Sequence, residues 1–563
     1  MSKRRNSRGV SIPPPTSPLR LFLVNNQGKI CRAALFLFIM TYFGWMLRIS
    51  FHLVDNLGVR TFDLAIFDQA TWLIAHGKPA FVTVRGLHLL AEHFSAILYL
   101  IAPFYLLWDS PKVLLTLQTL ALALGAIPVY SIAARRLGSP GIALIVAVCY
   151  LLYPPMQWAN TFEFHPDNFA TLFLLCAIYC FEVRRWAMFY ALMVLAALCK
   201  ETVGLEVLAF SAYAYFPLRK ESLTRFALGS AAVGVVMLAL AFATMHDFNH
   251  GRPSLFFLLY EQYGSTAGGI ILFMAIHPVT VIKDLLSRSN LAYGFEVLYP
   301  VMFMPLMAPE VALIALPALL VHLLSGHAIM HTIYFQYTAL VTPFIFYAVI
   351  IGLERVTKWG SNTARAMACC ILALGTFQGY AERPGTSGVA PLPPTMTASE
   401  VMQSTAIFSR IPSNASVSTQ VALMSRLGHR DHIYMFPNPF MPAAWGYSRT
   451  ALDQMGGDAF SGTMASNIAS AALLKPVDYV VLCPPTTAFP LQPHDKLYVQ
   501  YVQALVSSPA YGIVAISRDT MVLKSGASHR LGLSTLAAQC GASVTDPLAL
   551  LLDAWFKQQI HVI

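Results

Sequence analysis

The stretch Thr61–His93, TFDLAIFDQATWLIAHGKPAFVTVRGLHLLAEH, decides how the chain is read. It follows the first long apolar segment and brings Asp63, Asp68, His76, Lys78, Arg85, His88, Glu92 and His93 into one connection. Charged residues make up only 11% of the chain, so this density beside an apolar run stands out. Ionisable groups at membrane depth are costly and are usually kept for a pathway or a site. The connection is the first place to look for chemistry.

Outward from it, the chain is apolar. Hydrophobic residues form 56% of 563, mean hydropathy is +0.59, and runs of near-spanning length recur from Ala33 to Tyr380. Most of the chain therefore belongs in a bilayer. The net charge of +10 does not indicate nucleic acid, because the basic residues sit in short clusters between apolar runs. That is the pattern of cytoplasmic loops under the positive-inside rule. Most of the nine cysteines lie in or beside spans, without zinc-ligand spacing to histidines, and read as small packing residues.

The expected fold is mainly α: a multi-pass transmembrane bundle followed by an extramembrane α/β domain. Residues 1–32 form a disordered basic arm that keeps the N-terminus cytoplasmic, and residues 33–380 form the membrane domain. Spans near 33–54, 112–134, 140–159, 168–183, 186–199, 202–217, 226–245, 292–307, 309–325, 333–353 and 364–380 place every basic cluster inside. This gives about eleven spans and an external C-terminus. It requires that 93–108, too short for a perpendicular span, form a re-entrant or interfacial helix within an external loop 55–111. The outer connections are then the Asp63 loop, 161–168, the Lys200–Glu201 corner, 246–290 and 325–331.

Residues 381–397 are a Pro/Gly linker. From 398 to 525 the pattern alternates as in an α/β domain, with helices over 399–411, 421–427 and 497–506 and strands near 415–419, 433–436, 479–483, 512–517 and 521–524. The tail, 526–563, holds one amphipathic candidate at 547–557.

Candidate site residues follow from the outer connections. Asp63 and Asp68 are too far apart to share a helix face well, so one would act as base while the other orients a donor, binds a cation or caps a helix. Glu92 and His93 open the re-entrant run, to meet a cation or a lipid phosphate or merely to anchor the helix. Glu163, His165 and Asp167 alternate in FEFHPDN, and in extended geometry would project to one side as a metal- or hydroxyl-binding cluster. With Asp63, Glu163 and His165 as candidate ligands, the cation would be Mg or Mn; a solvated loop is the competing reading. Lys200 suits a phosphate as a compact point charge, whereas a Lys200–Glu201 ion pair closing the hairpin is the structural alternative. His331 and Tyr334 are spaced for one helix face at the start of the tenth span, and Arg85 is a further outer cation able to meet phosphate.

The segments FDLAIFDQATW, AEHFSAILYLIAPFYLL, LQTLALALGAIPVYSIAARRLG, FEFHPDNFA, CKET and FQYTALVTPF resemble the domain of unknown function 2079 family of predicted bacterial membrane proteins. VSTQVALMSRLGHRDHIYMFP and PVDYVVLCPP resemble that family's extramembrane tail. More remotely, the arrangement is similar to the GT-C superfamily of polyprenyl-phosphate-sugar-dependent glycosyltransferases. That resemblance implies that Asp63 takes the place of the superfamily's acidic residue in the first external loop and Glu92–His93 that of its charged segment after the loop. The paired prolines usual there are missing: Phe94 and Ser95 follow His93.

The implied activity is sugar transfer from a polyprenyl-phosphate donor to an external acceptor, with Asp63 as general base, in a bacterial inner membrane with the C-terminal domain periplasmic. Membrane lipid and the lipid-linked sugar are the expected partners. The alternatives are a transporter or flippase, and a non-catalytic membrane-anchored scaffold.

Overall fold

The protein's structure, a computed structural model, describes residues 18–57, 62–216, 221–251, 254–360, 362–384, 395–436, 438–440, 477–482, 502, 505–506, 508–516 and 520–528. Residues 1–17 of the basic arm, most of the linker and of the 497–506 helix, and the 547–557 candidate lie outside them.

The first helix, α1 (Pro18–Asp55), begins well before the expected 33, so residues 18–32 continue the helix rather than forming a disordered arm. Proline suits a helix start because its missing N–H has no intrahelical acceptor there. The helix stops where Leu57 takes a left-handed backbone, φ 50°. A short helix, α2 (Phe62–Ala75), follows, then a two-stranded antiparallel hairpin of β1 (Phe81–Val82) and β2 (Leu87–His88). Residues 93–108 are not one helix: a single turn, Leu98–Ile101, tightens into a 3-10 turn over Ala102–Leu106 around Pro103. Leu100, Leu106, Leu107 and Trp108 point outward, an apolar flank that belongs against lipid rather than water.

Three helices among the described residues are long and apolar enough to cross a membrane: Asn26–Asp55, Lys112–Leu137 and Thr224–Phe248. Counting two bent pairs as one span each raises the number to five. One pair, Pro140–Leu152 and Pro154–Thr161, bends by 44° at Tyr153–Pro154. The other, Ala267–Ile276 and Pro278–Leu285, bends by 96° and lies in a connection expected to be a plain outer loop.

The expected spans 292–307 and 333–353 are not continuous: helix Arg288–Leu298 gives way to 3-10 turns, and Thr342–Trp359 begins only after others. The expected 309–325 is one short apolar helix, Pro309–Leu323, tightened at Leu313–Ala315. The cause is local: Pro300, Pro305, Pro309 and Pro317 interrupt the backbone pairing, and Met302 and Phe303 adopt φ of 50° and 55°. Close approach replaces length elsewhere. Helix Val203–Tyr215 meets the Glu221–Phe248 helix at Gly204 and Gly234, where a Cβ on either would stand 3.0 Å from the other's carbonyl oxygen. Only small residues permit such contact between membrane helices.

Beyond the linker, five strands form one mixed sheet: β3 (Val417–Thr419), β4 (Ile433–Met435), β5 (Tyr479–Leu482), β6 (Tyr511–Ile516) and β7 (Met521–Ser525), ordered β4-β3-β5-β7-β6. β3 runs parallel to β4 and β5, while β7 is antiparallel to β5 and β6. Helices Ala398–Phe408 and Val421–Leu427 accompany it. The latter packs directly on α2, so this sheet unit sits on the element carrying Asp63 and Asp68.

Candidate active site

Asp63 stands in the first turn of α2, where backbone N–H groups lack intrahelical partners. The Leu64 N–H donates to Glu163 Oε2 at 2.8 Å, so a carboxylate from a distant loop caps this helix and complements its dipole. Glu163 holds φ 50°, an uncommon left-handed conformation for a residue with a side chain. The surrounding loop enforces it. Gln118 Nε2 donates to the carbonyls of Asn160 (3.0 Å) and Glu163 (2.8 Å), and its Oε1 accepts from His165 N–H at 2.8 Å.

FEFHPDN is therefore a clamped bend, not an extended strip. Its three ionisable side chains part company rather than projecting together. Glu163 caps α2, His165 Nε2 reaches Asp63 Oδ2 at 3.3 Å, and Asp167, at the start of helix Asp167–Glu182, pairs with Lys200 Nζ at 2.6 Å. Phe162 stacks on the His165 ring and Phe67 meets it edge-on, fixing its plane.

Burial works to raise the Asp63 pKa. The His165 hydrogen bond and charge, with Arg85 and His93, outweigh it and hold the carboxyl below its ordinary range. The carboxylate is thus ionised at neutral pH, and its side chain is 29% exposed, so a ligand can reach it.

Around it lie more charges. Arg85 grips Glu92 through two bonds, of 2.5 and 2.9 Å. Bidentate geometry of this kind fixes both side chains. His93 Nδ1 lies 2.9 Å from Glu201 Oε1, whose second oxygen accepts from the Phe94 N–H at 3.0 Å. Burial opposes ionisation of Glu201, but His93 and Lys200 bring its pKa down to about 2. Burial likewise opposes a charged His93, and Glu201 overcomes it to raise the imidazole. Lys200 pairs with Asp167 rather than with its neighbour Glu201, so the hairpin-closing Lys200–Glu201 bond does not form. An ammonium has three donors, and Asp167 takes one of them.

Asp68 plays a different part from Asp63. It is wholly buried, accepts from the Tyr105 hydroxyl at 2.7 Å and meets His429 Nε2 at 3.0 Å. That geometry joins α2 to the sheet unit and leaves the carboxylate no access to an acceptor.

His331 and Tyr334 are not brought to Asp63. Thr332 is extended and no helix runs through both, so the expected shared face does not exist. His331 Nε2 contacts the Ser325 carbonyl at 3.0 Å, and Tyr334 packs edge-on against Trp158. Tyr337 comes closer, within electrostatic reach of both Asp63 and Asp167.

Among the described residues no three His, Cys, Asp or Glu side chains assemble as metal ligands. Glu163 accepts from α2 through Oε2, while Asp63 and His165 meet each other. Sequence reasoning passed over Gln118, whose signal was a lone amide in an otherwise apolar span. It also passed over Glu206, a wholly buried carboxyl on helix Val203–Tyr215. The third omission is His429, for which the sequence held no signal.

Comparison with known proteins adds the following. Solved structures similar to this chain include ArnT from Cupriavidus metallidurans bound to undecaprenyl phosphate. It is 14% identical over 86% of this chain and 97% of that chain, at a TM-score of 0.48. The apo state of the same protein is 15% identical over 85% and 97%, at a TM-score of 0.46. No curated protein matches the chain in sequence. A family model, that of the predicted membrane protein DUF2079, matches residues 53–452, a run that takes in α2, FEFHPDN, Lys200 and His429. The chain belongs to the DUF2079 family of predicted membrane proteins.

Proposed function

We propose that this protein is a membrane glycosyltransferase of the GT-C kind that moves a sugar from a polyprenyl-phosphate donor to an acceptor outside the membrane. The observation carrying the reading is the Asp63 carboxylate, ionised and partly open, backed by His165 and within electrostatic reach of Arg85 and His93. In this reading Asp63 removes the proton from the acceptor hydroxyl as its oxygen attacks the anomeric carbon. The bond from that carbon to the phosphate oxygen breaks, and the lipid phosphate leaves with the electron pair. A general base must lie within hydrogen-bond reach of the proton it takes. A carboxylate held this acidic accepts it late, once bonding to the anomeric carbon has acidified the hydroxyl.

The leaving phosphate needs fixed positive charge, and Lys200, with donors to spare, supplies it together with Arg85. A lipid-borne donor gives a reason to build this chemistry beside an apolar flank at 98–108. We place the site on the periplasmic face of a bacterial inner membrane, with a cytoplasmic N-terminus and an external α/β domain over 398–525. Mass spectrometry of lipid extracts and envelope glycans, with and without the gene, tests the reading. A lipid-linked sugar that accumulates in the knockout names the donor; identical lipids and glycans in both strains contradict it.

Glu206 favours a second reading. A wholly buried carboxyl inside a helix bundle is a feature of ion and proton pathways. Uptake of a solute into vesicles, with no transfer product, would favour a transporter.

A further inference from the structure

Helix α2 carries two aspartates with separate duties, and the second is bonded to the sheet unit. Asp68 Oδ1 meets His429 Nε2 at 3.0 Å, and the other ring nitrogen, Nδ1, meets Asp109 Oδ1 at 2.8 Å. The imidazole lies parallel to Trp72 of α2, and Tyr105 closes the far side by donating to Asp68. Preceding it, Gly428 packs so tightly that a Cβ there would stand 2.6 Å from Asp68 Oδ2.

The same loop is tied down beside His429. Gln69 donates to the Asp431 carbonyl at 3.2 Å, Lys78 pairs with Asp431 at 2.5 Å, and Thr83 exchanges bonds of 2.6 and 3.0 Å with the Ile433 backbone. The remaining cations are committed elsewhere. Arg430 turns inward to the carbonyls of Leu427, Pro412 and Ala415, and Arg426 reaches Asp55. The groups facing the ring are therefore Asp68 and Asp109, with Trp72 and Tyr105.

Two carboxyl groups lie within hydrogen-bonding distance of the two nitrogens of one imidazole. A neutral ring has a single N–H and can serve only one of them; the protonated ring serves both. We propose that His429 is a positioning residue whose protonated ring bridges Asp68 and Asp109, docking the sheet unit onto α2 and thereby setting where Asp63 points. This rests on the reading of Asp63 as the base. Burial pulls the His429 pKa down, and the two carboxylates lift it above its ordinary value. The bridge is therefore complete below about pH 6.5, the unfolded value, and is lost as pH rises through the raised folded value.

Hydrogen exchange of the α2 amides in the full-length, detergent-solubilised protein tests the proposal without any transfer assay. After correction for intrinsic exchange, wild-type protection should fall by roughly tenfold or more as pH rises past the raised imidazole pKa. His429→Ala should lack that protection at every pH. Asp109→Asn removes one carboxylate at an exposed position, so it should move the transition to lower pH. A wild-type profile flat with pH, or a transition unmoved in Asp109→Asn, overturns the bridge. If Asp63→Asn abolishes transfer while His429→Ala loosens α2 and leaves transfer intact, the bridge stands and its coupling to the site is overturned. Loss of the transferase reading alone would leave the exchange results unaffected.

Discussion

His165 Nε2 stands 3.3 Å from Asp63 Oδ2, although the two residues come from different connections. Their meeting is built rather than incidental. Glu163, two residues before His165, caps the helix whose first turn holds Asp63, and Gln118 holds the backbone on both sides of the turn. One loop thus fixes both members of the pair.

His165→Gln should raise the Asp63 pKa, because it removes the main favourable partners that offset burial. Asp63 acts only when ionised, so the acid limb of the pH–rate profile should move to higher pH. Transfer at neutral pH should fall by about a factor of 10² or more. Rates measured from pH 4 to 8 check this; an unmoved acid limb counts against the pairing.

Gln118→Ala should destabilise the protein by about 2–4 kcal/mol, since buried backbone groups of residues 160–165 lose their partners. Thermal unfolding in detergent reads the stability. The accompanying loss should fall on kcat more than on KM, because the substitution misplaces the His165–Asp63 pair without touching a binding group.

Lys200 and Asp167 form a buried pair, with side chains 13% and 8% exposed. Lys200→Met leaves a carboxylate unpaired and should cost about 3–5 kcal/mol. Adding Asp167→Leu should recover most of that stability and none of the transfer activity. A double-mutant cycle on unfolding midpoints separates the two effects.

Glu201 and His93 define a pH window. Glu201 has a depressed pKa, so its contribution is full above the ordinary carboxyl value of 4.5 and is lost as pH falls toward about 2. His93 has a raised pKa, so its contribution is full below 6.5 and is lost as pH rises through the folded value. Unfolding temperatures measured from pH 3 to 9 should show both limbs in the wild type. Glu201→Gln should flatten both.

Much of this was legible in the sequence because local chemistry wrote it there. Apolar runs set the helices 112–137 and 224–248. Alternation over 415–436 and 479–525 marked the strands, and the charge density of 61–93 marked the candidate site. Asp63, His165 and Lys200 could be singled out because ionisable groups beside apolar runs need a reason.

What was not legible depends on tertiary geometry. Hydropathy is blind to the proline breaks that split 292–353, since Pro300, Pro305 and Pro309 sit among apolar residues that keep the average high. The extended reading of FEFHPDN failed because a left-handed Glu163, held by Gln118, redirects the chain. The structural tie of Asp68 was hidden because its partner His429 lies far along the chain.

The most direct test returns to position 63. Wild-type, null and Asp63→Asn strains, matched for protein level and membrane insertion, should be compared by mass spectrometry of polyprenyl-phosphate sugars and envelope glycans. A lipid-linked sugar should accumulate in Asp63→Asn as fully as in the null strain, with the same glycan missing. Lipids and glycans in Asp63→Asn indistinguishable from wild type would contradict the assignment of this carboxylate as the base.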